Sequence, residues 1–527
     1  MVESSRDVDG LGLAELKPLL LQAYEKIASQ DAEIVALREE IARLKGLKGR
    51  PQIKPSGMEK STEVQPKGKR KLGRRGAKRP KLTIDETKII KAENIQAGAR
   101  FKGYEDFIVQ DIIVQPRTVL YRRERWLLPS GETIVAPLPA GTVGHFGAEL
   151  KRFAISQYVQ GQVTVPRLAG LLNDVGVVIS KRQVIRLLIE GQDAFLTEAK
   201  DVLREGLSSA AWITVDDTGA RHQAKNGFCT HIGNDQFASF TTTGSKSRLN
   251  FLEVLAAGDT THLINDAAIA YMNDLDLSGK VITLLTAHPK RSFANRKAWM
   301  AHLKALGITA LEITPDPVRV ATEGVLWGSI AAQGLLDGTV IVSDDAGQFD
   351  VGDHALCWVH AERLVHKLDA FTDQQRKAKE DIQGRIWALY ADLKAYRRKP
   401  TSKRKGELTR RFTEIVTTRT GYAMLDRLLG RLKAKKGKLL AVLERPDIPL
   451  HTNGSENDIR CQVTRRKISG GTRTDRGRDC RDAFLGLLKT CAKQGIRFWD
   501  YLGARLAVPG AAEVPALVAL IGQPAPP

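Results

Sequence analysis

Two acidic pairs and one glutamate are the residues whose types and spacing could do chemistry. Asp216-Asp217 close the apolar, β-rich run 211–215 (AWITV), and Asp344-Asp345 close a second such run at 339–342 (TVIV). In open α/β sheets ligands gather beyond the carboxyl ends of strands, so two strands ending in acids predict carboxylates converging at one sheet edge. Carboxylates gathered without countercharge repel each other and raise their own pKa values. A hard divalent cation removes that cost, and Mg²⁺ is held by one or two carboxylates together with phosphate oxygens. Two such ions roughly 4 Å apart activate a water or a DNA 3′-hydroxyl and stabilise the leaving oxygen. Taken alone, either pair is as well explained as a cap on the loop that follows its strand. The third acid, Glu456, stands in the segment 452–470 (TNGSENDIRCQVTRRKISG). Asn453-Gly454-Ser455 reads as a turn and helix cap, which puts Glu456 in the first helical turn with Arg460 one turn on. Arg460 is then either an i,i+4 ion-pair partner or the residue that orients the carboxylate.

The elements around these acids are those of an α/β core. The run 211–215 is followed by two further strands, 228–232 (FCTHI) and 237–243 (FASFTTT), separated by Asn234-Asp235, and then by a helix at 249–255. A strand, a two-strand meander and a helix open like a ribonuclease-H-type sheet. A helix over 357–368 carries His360 and Arg363. His360 reads either as a hydrogen-bonded structural histidine or, with Arg363, as a group that positions phosphate or acid.

Elsewhere the chain is basic. The 527 residues hold 81 Lys and Arg against 60 Asp and Glu, a net charge of +21, which makes a polyanion the expected partner. Residues 67–81 (KGKRKLGRRGAKRPK) hold nine cations and no acid, and Lys69, Arg70, Lys71, Arg74 and Arg75 are expected to meet phosphates. Before this arm, Leu20, Ile27, Ile34 and Ile41 recur every seven residues, with Ala23, Gln30, Leu37 and Leu44 three positions later. That heptad pattern predicts a two-stranded coiled coil and a homo-oligomer. Residues 104–140 alternate like strands around a turn at Pro129-Ser130-Gly131 and predict a small β-hairpin unit. Over 147–200 the pattern is helical. Thr164 and Pro166 open a short helix, Gly176 makes a turn, and Ser180 caps a second helix beginning Lys181-Arg182-Gln183, a helix-turn-helix form that would put Lys181 and Arg182 against DNA. The basic stretch after Glu456, with Arg465, Arg466 and Lys467, could line a phosphate backbone. Five scattered cysteines form no Cys-x-x-Cys pair, so neither a disulfide framework nor a zinc site is expected. The polar, acidic N-terminus is no signal peptide, and the most apolar stretch, 506–520, is broken by Pro509, Glu513 and Pro515. No membrane partner is expected, and the location expected is the cytoplasm.

An ordered set of motifs carries a family resemblance. Asp216-Asp217-Thr218, Ser343-Asp344-Asp345, Cys357-Trp358-Val359-His360-Ala361-Glu362-Arg363, and Asn453-x-x-Glu456-x-x-x-Arg460 with Arg466-Lys467 resemble the transposases of the insertion-sequence-66 family. The tail, with Leu488-Lys489-Thr490-Cys491-Ala492 and Tyr501-Leu502, resembles that family's closing segment, and a heptad helix and basic linker also occur at the front of such proteins. The resemblance implies a ribonuclease-H-like core with an Asp-Asp-Glu triad of Asp216, Asp344 and Glu456, holding two Mg²⁺ or Mn²⁺ ions. It implies cleavage and joining of DNA, with terminal inverted repeats and target DNA as partners and accessory transposition proteins as possible ones. A nuclease of the same fold, or a DNA-binding regulatory or architectural protein with a vestigial acidic site, is the competing reading. The family often carries a cysteine zinc finger where this chain, over 100–140, has no cysteine, so a metal-free unit is expected there. The family usually has Gly after the second acid; Asp345 stands there, which leaves Asp344 and Asp345 open, as Asp216 and Asp217 are. The fold expected is multidomain and mainly α with an α/β core: coiled coil 13–48; basic linker 49–100; β-unit 101–146; helical DNA-binding region 147–205; catalytic core 206–372 and 445–480; all-helical insertion 373–444; helical tail 481–527. The insertion either scaffolds the core or grips DNA through Arg397, Arg398, Lys399, Lys403, Arg404 and Lys405.

Overall fold

The computed structural model describes residues 83–522, apart from 97 and 140–143, together with Lys26. The heptad segment 13–48 and the basic arm 67–81 therefore lie outside the described residues, except for Lys26. The chain divides into two units, Met1–Ser61 and Thr62–Pro527, and every element named below belongs to the second.

Residues 83–124 carry no regular element, and a hairpin of β1 (Arg125–Leu127) and β2 (Thr133–Val135) follows. The hairpin expected over 104–140 is thus reduced to three paired residues on each strand. The alternating residues before it, such as Phe107, Ile112, Ile113 and Leu120, are exposed, with no second layer to bury them; a lone two-stranded ribbon is marginal in water. Four helices come next: α1 (Ala148–Val159), α2 (Val165–Asp174), α3 (Lys181–Ile189) and α4 (Asp193–Ser209). Pro166 lies in the first turn of α2, and Ser180 caps α3 through a reciprocal box with Gln183. That box satisfies two backbone donors at once and fixes where α3 starts.

The central sheet follows as β3 (Trp212–His222), β4 (Lys225–Gly233) and β5 (Ala238–Thr243), then α5 (Arg248–Leu255). A smaller helical lobe comes next: β6 (His262–Leu263), α6 (Asp266–Asp274), α7 (Gly279–Ala287), β7 (Ser292–Phe293), α8 (Arg296–Ala305) and α9 (Pro317–Ala332). It packs its own buried cluster around Trp299, Phe293 and Leu303. The chain returns to the sheet as β8 (Val340–Ser343) and β9 (His354–Leu356), then runs into α10 (Trp358–His366). Helices α11 (Asp373–Arg398), α12 (Ser402–Thr417), α13 (Ala423–Ala434) and α14 (Lys436–Leu439) fill the span where helical insertion was expected. Helices α15 (Asn453–Ser469), α16 (Asp475–Lys493) and α17 (Phe498–Arg505) close the fold.

The strand order is β5-β4-β3-β8-β9. β3, β4 and β5 pair antiparallel, whereas β8 pairs parallel with both β3 and β9. One expectation is corrected here: the first strand does not end at the acids. It continues through Asp216 and Asp217 to His222, because pairing with β4 persists from Thr214↔Gly233 to His222↔Lys225. Only the pairing with β8 stops early, its last partners being Thr214 and Val342. A second correction concerns Asn453-Gly454-Ser455, which form the first turn of α15 itself, preceded by Thr452. The far end of α15 clamps back onto β3: Thr472 N donates to Arg221 O and Gln223 N to Thr472 O. Gly471 permits this approach, since a Cβ there would lie 2.4 Å from Arg221 O.

Candidate active site

The strand register explains how the two aspartate pairs meet. β3 and β8 are parallel neighbours whose last paired residues are Thr214 and Val342. Two residues further along each strand stand Asp216 and Asp344, side by side where the strands part. Because side chains alternate along a strand, Asp216 and Asp217 face opposite sides of the sheet. Asp217 is neutralised on its side: Lys246 forms an ion pair with it, and Gln348 Nε2 donates to its Oδ2 at 2.8 Å. Asp345 is likewise taken up by an ion pair with Lys435, from the junction of α13 and α14.

Among the described residues, Asp216 and Asp344 have no such cation. Each caps its own backbone with one oxygen, Asp216 Oδ1 accepting from Asp217 N (2.8 Å) and Asp344 Oδ1 from Ala346 N (3.1 Å). The capping role and the clustering role are therefore both present. Burial first, and then the nearby Asp344 and Glu456 carboxylates, push the Asp216 carboxyl up to about 6, against the opposing pull of the Asp217 amide and His360. Burial is the larger cause of this rise, and the two carboxylates add to it.

Glu456 reaches the same place from α15. Its Oε1 lies 3.5 Å from His360 Nε2 and 3.7 Å from Arg363 Nη2, both on α10. Its ion pairs thus run to α10 and not to Arg460, which is exposed one turn along α15. Although burial works against it, the Cys357 thiol and the Glu456 carboxylate hold His360 above the ordinary imidazole value. The loop bearing Asp344 is pinned from two sides. Ser343 Oγ sits 2.7 Å from His354 Nε2, and Arg248 donates twice to Gly347 O, at 3.3 and 2.9 Å.

A buried polar cluster beneath Glu456 escaped the sequence reading. Ser455 Oγ lies 2.6 Å from Thr214 Oγ1 and 3.0 Å from His231 Nδ1, and His231 Nε2 faces Asp458 Oδ2 at 3.3 Å. Asp458 is also held by Lys493 (3.0 Å) and Lys489 (3.4 Å) of α16. The one signal available in sequence is adjacency: Ser455 precedes Glu456, and Thr214 precedes Asp216 by one strand period.

The expected phosphate-binding residues divide into two groups. Lys181, Arg182, Arg398 and Lys467 are exposed. Arg465 is 3% exposed and stacks on Tyr158 with its guanidinium 4.1 Å from the ring centre. Arg466 donates to Gly219 O, and Arg397 donates to the carbonyls of Pro446 and Asp447 at 3.1 Å. These three guanidiniums satisfy carbonyls or a ring inside the fold, which corrects their expected place on an open basic surface. In the insertion, Arg404 pairs with Asp392 and Lys405 with Glu444, while Lys399 and Lys403 are exposed. Lys69, Arg70, Lys71, Arg74 and Arg75 lie outside the described residues.

An α-rich protein with a central mixed sheet and acids from three elements converging beside it is the class defined by this geometry. Residues 327–479, which include Asp344, His360, Arg363 and Glu456, match the family model described as Transposase IS66 family. The chain is also 48% identical over 324 residues to a protein of Sinorhizobium fredii described as uncharacterized protein y4jO; the alignment covers 62% of this chain and all of that protein. The chain belongs to the IS66 family of transposases. Membership implies DNA as a partner, and transposases of the Asp-Asp-Glu type generally use a divalent metal ion.

The donor set fits a hard cation: three carboxylates, two without a cation of their own, with Glu456 Oε1 buried and lacking a hydrogen bond. The gathering, however, is incomplete. Among the described residues no group of three or more His, Cys, Asp or Glu stands close enough together to hold a metal ion. No described helix is long and apolar enough to cross a membrane.

Proposed function

We propose that the protein is a DNA transposase that cleaves and joins DNA at the ends of an insertion sequence, with Asp216, Asp344 and Glu456 as its acidic triad. The observation that carries this reading is the convergence of these three acids, combined with neutralisation of the adjacent Asp217 and Asp345 by lysines. The strand order β5-β4-β3-β8-β9, in which β4 alone runs antiparallel to the other strands, supports a ribonuclease-H-like core. The three carboxylates would hold Mg²⁺ or Mn²⁺, which supplies activation of a water or 3′-hydroxyl oxygen and charge neutralisation at the leaving oxygen.

The chain's own residues do the rest. His360 and Arg363 offset the charge of Glu456 and offer donors to a phosphate oxygen. Helices α2 and α3 act as a helix-turn-helix, and the exposed Lys181 and Arg182 at the N-terminus of α3 meet the DNA backbone. Arg398 and Lys467 add phosphate contacts from the insertion and from α15, and the basic arm at 67–81 extends them. The heptads at 13–48 join copies of the chain into an oligomer. The setting is the bacterial cytoplasm, with the nucleoid as substrate.

A strand-transfer assay with terminal-repeat oligonucleotides and Mg²⁺ or Mn²⁺ tests the reading. Asp216→Asn, Asp344→Asn and Glu456→Gln are each expected to abolish cleavage and joining while leaving DNA binding intact. Asp217→Asn and Asp345→Asn are expected to retain activity. Joining by any of the first three variants would overturn the triad. Cleavage without joining in the wild type would make the protein a nuclease.

A further inference from the structure

The cluster beneath Glu456 ties together the residues next to two of the acids. Thr214 lies on the same face of β3 as Asp216, one period earlier. His231 is the direct cross-strand partner of Asp216 on β4, and opposed residues of an antiparallel pair share a face. Ser455 immediately precedes Glu456. A single hydroxyl, Ser455 Oγ, joins all three strands of this argument, at 2.6 Å from Thr214 Oγ1 and 3.0 Å from His231 Nδ1.

The residue types constrain the direction of these hydrogen bonds. A carboxylate only accepts, and a neutral imidazole has one donor and one acceptor nitrogen. The Asp458 carboxylate faces His231 Nε2 at 3.3 Å, without the alignment of a hydrogen bond, and its negative charge favours the tautomer with the proton on Nε2. Nδ1 is then an acceptor and Ser455 donates to it; the single Thr214 hydroxyl proton is shared between Ser455 Oγ at 2.6 Å and the Gly233 carbonyl at 3.1 Å. Burial keeps His231 below its ordinary imidazole value, in line with this neutral form. Lys489 and Lys493 of α16 balance the Asp458 charge. Thr214, Ser455 and His231 are 4%, 0% and 1% exposed, so the chain is dry. A Ser-His-Asp set also raises the question of nucleophilic catalysis. The full burial of Ser455, and the bond its oxygen already makes to Thr214, exclude that role.

We propose that Thr214, Ser455 and His231 are positioning residues whose hydrogen-bonded chain sets the separation of Asp216 and Glu456, and so the affinity of the acidic centre for a divalent ion. The proposal rests on reading Asp216 and Glu456 as paired metal-binding carboxylates. Among the described residues, the Thr214–Ser455 contact is the hydrogen bond that ties the first turn of α15 to the strand carrying Asp216. Groups that orient metal ligands from behind typically change metal affinity about 10–100-fold when removed.

The test is Mn²⁺ binding to the full chain by isothermal titration calorimetry, beside thermal melting and kcat and KM for strand transfer. Thr214→Val removes the hydroxyl and keeps the shape, Ser455→Ala removes the central atom, and Thr214→Ser restores the bond. Thr214→Val and Ser455→Ala should weaken Mn²⁺ binding about 10–100-fold and lower kcat, with KM for DNA unchanged. Thr214→Ser should bind Mn²⁺ as the wild type does. Folded Thr214→Val and Ser455→Ala proteins with wild-type Mn²⁺ affinity would overturn the proposal. So would equal weakening in Thr214→Ser, which would make the effect one of packing. Asp216→Asn and Glu456→Gln serve as the reference: if they leave Mn²⁺ binding untouched, it is the reading of the acidic centre that fails.

Discussion

Replacing Asp216 with Asn should stabilise the metal-free protein, and the size of the gain follows from the site's electrostatics. Burial and the neighbouring carboxylates raise the Asp216 carboxyl from 3.8 to about 6. A rise of roughly 2 units, at about 1.4 kcal/mol each, corresponds to about 3 kcal/mol. A carboxyl raised in the fold contributes stability below its unfolded value and loses it as pH climbs through the folded value. Wild type therefore carries the full cost above about pH 6 and none below about pH 4. Asn keeps the acceptor for the Asp217 amide and has no charge to repel. In EDTA at pH 7.5, Asp216→Asn should melt a few degrees higher than wild type, since 1 kcal/mol moves a domain of 150–250 residues by about 2–4 °C. That gap should close between pH 6 and pH 4. Added Mg²⁺ should narrow or reverse it at pH 7.5, because only wild type gains the ion. Differential scanning calorimetry of the two proteins across pH isolates the term, since every other titrating group is shared. A gap that does not vary with pH, or a variant less stable than wild type at pH 7.5 in EDTA, would refute the account of Asp216.

Further outcomes follow from other side chains. Arg465→Ala should lower the melting temperature by the equivalent of about 1–3 kcal/mol through lost packing on Tyr158, with the salt dependence of DNA binding unchanged; Lys467→Ala should leave melting alone and reduce the salt slope of binding by about 1. Glu198 gathers Arg505, Tyr501 and the Leu517 amide, all at 2.8–3.1 Å; Glu198→Gln should cost about 2–4 kcal/mol and speed hydrogen exchange over 498–520. Burial works against the Glu198 charge, but Arg505 and the other donors outweigh it and hold its carboxyl below the ordinary range, so the cost should be full at neutral pH and shrink as pH falls through that range. Burial holds His354 down to about 4, so its imidazole should stay neutral at pH 5.5 by ¹⁵N NMR, and stability should be lost as pH falls from 6.5 towards 4; titration near 6.5 would contradict its placement.

Patterns of local origin were legible in the sequence. The caps at Ser180 and Pro166, the meander after residue 211, the long basic helices of 373–444 and the helix under Glu456 all depend on residues close in the chain. Pairing across the chain was not. The apolar run of the first strand ends at Asp216, yet β4 continues to pair with that strand for six residues beyond. Alternation predicted a larger hairpin before Pro129, but alternation stabilises a strand only when a layer covers its apolar face, and Phe107, Ile112 and Leu120 have none. The basic run after Glu456 was read as surface. A charge count cannot separate Arg465, 3% exposed, from its exposed neighbour Lys467, because the difference lies in Tyr158 and Val163, some 300 residues away in sequence.

The same limit explains why the adjacent aspartates could not be told apart. In sequence, Asp216 and Asp217 are equivalent donors, as are Asp344 and Asp345. What separates them is which member of each pair has a lysine. Lys246 stands just past β5 and Lys435 at the end of α13, and neither position is fixed by anything near the acids. Those two lysines remove two of four aspartate charges from the local balance and leave the remaining two facing one glutamate. His360 and Arg363 then offset Glu456, and His360 also pulls on Asp216. The centre thus keeps an uncompensated negative charge inside a chain of net charge +21. In such a chain uncompensated acids are costly to keep and simple to neutralise, yet among the described residues no Lys or Arg forms an ion pair with either. That is the electrostatic condition a divalent cation would relieve.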